Sequence, residues 1–189
     1  MKYIFFEKYL TEIDKYLKEV EFLQKRGVFS ADFLKGYYLS KDKKLREVEE
    51  NFLKTIPAIK NLIVSAAKKE KNNKKLSLFL HLLGWSKDYK KIPMFLMNFI
   101  DYDNVSVSNA SMRSLFPIVA SGKFIPEIKR INNLTYKRSK YVKNKSLGIL
   151  AFVKTDIKSL VNKKRIKKLA ESKVEMVREP AKMVLDKLK

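Results

Sequence analysis

Two stretches of this chain combine residue types suited to holding a polyanion. In the first, Tyr136 and Tyr141 interleave with Lys137, Arg138, Lys140, Lys143 and Lys145, and Arg130 lies just upstream. Lysine and arginine neutralise phosphates, and tyrosine rings stack on unpaired bases at about 1–3 kcal/mol per base. A plainer reading stands beside it, with Tyr141 in a core and the lysines merely solvated. The second stretch, 162–168, places Lys163, Lys164, Lys167 and Lys168 around Ile166 and Leu169. At helical spacing the two apolar residues mark a buried side, and the four lysines form an exposed basic stripe.

Catalytic chemistry has less to work with. His81 is the single histidine and the chain has no cysteine. A zinc site needs three or four N, S or O ligands. None cluster in sequence with His81, which lies between Leu80 and Leu82 and reads as a packed or partly exposed helix residue. No G-x-S-x-G elbow, Gly-x-Gly-x-x-Gly turn or Walker-type loop is present, so neither a nucleophile nor a nucleotide cradle is legible. Asp101 and Asp103 flank Tyr102; a turn between helices explains them better than a cation site. No cofactor and no small-molecule substrate is indicated.

Charge is the strongest bulk signal. The 189 residues carry 42 basic and 20 acidic side chains, net +22. Residues 121–189 hold +14 of that excess. Such a field captures polyanions, of which nucleic acid is the commonest. A 46% apolar fraction argues for a packed core. The absence of cysteine fits a reducing compartment. Charges recur from Glu7 onward, so neither a signal peptide nor a membrane span is expected, and the expected location is cytoplasmic.

The elements that must position these residues are helices in a repeat. Val107, Val142 and Val177 are 35 residues apart, as are Leu115, Leu150 and Leu185, and Ile118, Val153 and Leu188. Ser111, Ser146 and Ala181 keep a small residue at one register, and Leu76, Leu80 and Leu83 extend the series backward. Offsets of 0, 8 and 11 lie on one helix face and not on a strand. Repetition at this period marks a helical array. The pattern predicts first helices over 92–100, 124–134 and 156–171, and second helices over 105–121, 141–154 and 174–188. Pro93 and Pro126 would open first helices, and Pro117 should kink a second one.

Upstream, Phe6, Leu10, Ile13, Leu17 and Val20 form an amphipathic stripe ending near Gly27. Ser30 can cap a short helix, and Ser40 another carrying Leu45, Val48 and Phe52. Pro57 suits the first turn of a helix bearing Ile59, Leu62, Ile63 and Ala66, with 68–75 as its frayed end and a loop. The expected organisation is an N-terminal helical cap over 1–55 and repeats over 56–189, together one domain. Within the repeats, 56–90 is degenerate and 92–121, 124–154 and 156–189 are clearer. The fold class is all-α.

With its helix-pair period, its Ile-Pro openings at 92–93 and 125–126, and Val177-Arg178 near the start of a second helix, the chain resembles the HEAT-repeat family. Val142-Lys143 repeats that last pair with lysine, and Val107-Ser108 departs from it. The resemblance covers about 56–189 and implies a right-handed superhelical solenoid of antiparallel helix pairs. In that family the second helices line a concave face that holds partners. Carried over, Lys143, Lys145, Lys154, Arg178 and Lys182 lie on such helices, whereas the lysines of 163–168 belong to a first helix on the convex side. The two basic stretches would then face different ways.

Some HEAT-like proteins are alkylpurine DNA glycosylases, which set tryptophans and a carboxylate beside extruded damage. Trp85, Tyr89 and Asp88 resemble a fragment of that arrangement; the fuller tryptophan and arginine pattern is missing, and Trp85 reads first as core packing at a repeat junction. The expected function is therefore non-catalytic binding of DNA or RNA by phosphate contacts. A scaffold for an acidic protein is the alternative, and a glycosylase a third.

Overall fold

A computed structural model describes Thr11 and residues 43–189. The expected helices before residue 40, with their caps at Ser30 and Ser40, lie outside the described residues, as do the side chains of Leu45, Val48 and Phe52. The chain divides into two compact units, 1–62 and 63–189, where the sequence suggests a boundary near 55. All eight described helices are α-helices, and no strand occurs among the described residues. They are α1 (Lys43–Lys69), α2 (Asn73–Leu83), α3 (Lys91–Met97), α4 (Val105–Ala120), α5 (Ile128–Leu134), α6 (Lys140–Phe152), α7 (Lys163–Ala170) and α8 (Glu175–Lys187).

Helix α1 is continuous through Pro57, which the sequence reading places at the start of a new helix. The apolar spacing explains the difference. Ile56, Ile59, Ile63 and Ala67 are all buried and share one face, so the stripe runs on across the proline. Lys74 and Lys75, expected in a loop, are already helical because Asn72 Oδ1 accepts from their backbone amides at 2.9 and 3.3 Å.

In the second unit α2 packs on α4, α4 on α6 and α6 on α8, while α3, α5 and α7 each pack on the longer helix that follows. The longer helices meet through the repeated residues. Val107, Ser111, Leu115 and Ile118 on α4 are buried, as are Val142, Ser146, Leu150 and Val153 and, on or next to α8, Val177, Ala181 and Leu188. The small register is fully enclosed at Ser111, Ser146 and Ala181. Ser146 Oγ donates to the Val142 carbonyl at 2.8 Å and also meets Met112 Sδ at 3.6 Å, so its hydroxyl is satisfied inside the α4–α6 contact. Ser111 Oγ donates to the Leu96 carbonyl at 2.6 Å, and Ser108 Oγ to that of Ile100, satisfying acceptors at and just past the end of α3.

The first helices are shorter than predicted. Helix α5 begins at Ile128, two residues after Pro126, and α7 at Lys163 rather than 156. Ile157 and Val161 are buried from turns, and their spacing of four imitates a helix. Pro93 is the third residue of α3 rather than the first, and Lys154 lies beyond the end of α6. Helix α4 carries Pro117 within its last turn and stops at Ala120; Gly122 follows with φ +78°, the left-handed geometry that ends many helices.

Candidate nucleic-acid interface

Helices α5 and α7 each present an arginine to the turn of the preceding pair. Arg130 on α5 grips Asp101 with two bonds, Nε to Oδ2 at 3.0 Å and Nη2 to Oδ1 at 2.7 Å. Its guanidinium also lies 3.9 Å from Glu127. The bonds from Arg130 hold the Asp101 carboxyl below the usual carboxylate range. One register on, Arg165 of α7 donates through Nη2 to the Thr135 carbonyl at 2.7 Å, and its guanidinium carbon lies 4.7 Å from the centre of the Tyr136 ring. Asn162 completes this joint. Its Oδ1 caps α7 by accepting from the Arg165 amide at 2.9 Å, while its Nδ2 donates to the Tyr136 hydroxyl at 3.1 Å. The sequence reading missed Arg165 and Asn162. The signal was available, because Arg130 and Arg165 are themselves 35 residues apart.

This joint brings the two basic stretches together. Tyr136 stands 52% exposed in the turn between α5 and α6, with Lys137 and Arg138 exposed beside it. Lys163 and Lys164 are exposed on the first turn of α7, between Asn162 and Arg165. Tyr136 of the first stretch thus touches Asn162 and Arg165 of the second at the start of α7. Ile166 and Leu169 are buried and Lys163, Lys164, Lys167 and Lys168 exposed, as the spacing predicts. Tyr141 is 45% exposed with the Lys140 ammonium 5.4 Å from its ring centre, so it is not a core residue.

The remaining candidates divide by their partners. Among the described residues, none of Lys137, Arg138, Lys140, Lys143, Lys163, Lys164, Lys167 and Lys168 is in an ion pair. Arg178 and Lys182 instead share Glu179 Oε1, at 3.0 and 3.1 Å, which keeps that carboxyl below its ordinary range. Lys145 is half-buried on α6; burial first, and the charge of Arg113 second, push its ammonium below the usual lysine value. Both α6 and α7 open on lysines with no acid in the first turn, leaving cations at the positive end of each helix dipole.

A pocket of about 280 Å³ opens between this turn and the one before it. Asp101, Tyr102 and Asp103 line one wall, Lys137 and Arg138 another, and Leu134 and Val142 contribute apolar surface. Trp85, Asp88 and Tyr89 lie elsewhere, in the loop between α2 and α3. Trp85 is 48% exposed, which overturns its reading as core packing. Asp88 Oδ1 accepts from the amides of Lys90 and Lys91 at 3.0 and 2.9 Å, where α3 begins, and the Lys123 ammonium sits 4.0 Å over the Tyr89 ring. Among the described residues no three histidine or acidic side chains converge as metal ligands, and no helix is long and apolar enough to cross a membrane.

No family model matches this chain, and neither characterised proteins nor solved structures match it.

Proposed function

We propose that residues 63–189 form a HEAT-like right-handed solenoid that binds DNA or RNA, without catalysis, through phosphate contacts on one basic edge. The contact of Tyr136 with Asn162 and Arg165 carries this reading. It links the stretch of Lys137 and Arg138 to that of Lys163 and Lys164 across consecutive helix pairs, and none of the four is in an ion pair among the described residues. Cations crowded at two helix starts repel one another and the dipole, so a phosphate seated there relieves both. The order in which the longer helices pack, and the recurrence of buried residues at a spacing of 35, support the solenoid.

Fluorescence anisotropy with short single-stranded and duplex DNA and RNA, titrated from about 50 to 200 mM salt, tests the function. Binding should weaken steeply as salt rises. Replacing Lys137, Arg138, Lys163 and Lys164 together by Ala should flatten the slope of log K against log salt by about three on single strands. Lys182→Ala, which removes a cation already paired with Glu179, should leave the slope in place. Absence of binding at the lowest salt overturns the proposal and turns attention to an acidic protein partner.

A further inference from the structure

We infer that the pocket between the two turns receives one unpaired guanine of a bound strand. This rests on the nucleic-acid reading above and adds to it a base preference.

The pocket combines the parts that a flipped-out base requires. Tyr102 and Val105 stand 42% and 44% exposed, an aromatic and an aliphatic side chain held open to solvent beside an apolar floor at Leu134 and Val142. Such surfaces take the faces of a base, and a volume of about 280 Å³ admits a purine. The edge of the base is met by carboxylates. Asp101 is already committed through both oxygens to Arg130. Asp103 has no ion pair or side-chain hydrogen bond among the described residues and faces the same space.

An uncommitted carboxylate on a phosphate-binding edge lowers affinity for every strand unless donors meet it. Guanine alone presents two neighbouring N–H donors, at N1 and N2, which match two carboxylate oxygens in parallel. Adenine and cytosine place one amino donor beside a ring-nitrogen acceptor that a carboxylate repels. Uracil and thymine place one N–H between two carbonyls. The acid therefore penalises four bases and rewards one. Across the pocket, Lys137 and Arg138 stand where the phosphates of the same nucleotide would lie, next to the start of α6.

The test compares three labelled single-stranded RNAs at about 50 mM salt: an all-uridine strand, one with a central guanine, and one with a central adenine. The guanine strand should bind roughly tenfold more tightly than the adenine strand. Asp103→Asn should erase that difference and leave binding of the all-uridine strand undiminished; the residue is exposed, so folding is not at stake. Equal affinity for the guanine and adenine strands, or a guanine preference that survives Asp103→Asn, overturns the inference while leaving phosphate binding intact. Failure of all three strands to bind overturns the polyanion reading itself.

Discussion

At the scale of single residues, His81 shows how far local chemistry can be read from neighbours in sequence. Two flanking leucines mark it as a packed helix residue, and it is half-buried on α2. Burial, and secondarily the charge of Arg113, push its pKa down from 6.5 to about 4. The folded chain therefore keeps it neutral where the unfolded chain would protonate it. Its stability contribution is complete above pH 6.5, declines as pH falls, and is gone below about 4. The loss is no more than about 3 kcal/mol. Urea midpoints should drop for the natural chain between pH 6.5 and 4.5, and His81→Gln should be nearly flat over that interval. Arg165 was harder to see. Within 162–168 it resembles one more solvated cation, and only its distance from Arg130 separates it from the lysines around it. Tyr136 and Tyr141 stand exposed among basic neighbours, as the binding expectation requires, and the alternative that buries Tyr141 fails. The pocket beside Asp103 is not legible in the sequence, because it depends on two turns 35 residues apart coming together.

At the scale of elements, helices α4, α6 and α8 are legible almost to their ends, the shorter ones only to within a turn or two, and α1 only as two pieces split at Pro57. The reason is physical. Helices α4, α6 and α8 bury a stripe on neighbours along their length, which imprints a helical spacing on the sequence. The approach to α7 buries Ile157 and Val161 from a segment without regular helix, where the same spacing arises all the same. Pro180 inside α8 supplies a further example of context deciding local structure. Lacking an N–H, it leaves the Met176 carbonyl without the usual donor four residues on. Asn144 of α6 donates its side-chain Nδ2–H to that carbonyl. Asn144→Leu should therefore cost about 1–3 kcal/mol, the toll of a stranded acceptor. In a Pro180→Ala background the backbone donor returns and the cost should shrink. A double-mutant cycle by chemical denaturation measures that coupling, and strict additivity would rule out the contact as the cause.

At the scale of the whole molecule, the charge distribution should govern stability as well as binding. Residues 121–189 carry +14, and the ion pairs they form, at Arg130, Arg178, Lys182 and Lys189, are exposed or half-exposed. Pairs of that kind contribute little, whereas the unpaired cations repel over distances comparable with the Debye length. The melting temperature should consequently rise as sodium chloride increases from about 20 to 200 mM. A fall on the same titration would mean that ion pairs outweigh repulsion. The arginine joints carry a separate consequence for how such a gene can grow. Arg130 reaches back to residue 101 and Arg165 to residues 135 and 136, one repeat apart. A duplicated segment of 35 residues from this region brings its own arginine and its own receiving turn, so both new seams close. An insertion of another length between a turn and its arginine has to loop out for the same partners to meet. The clasp thereby acts as a ratchet on inheritance, favouring new length in whole units.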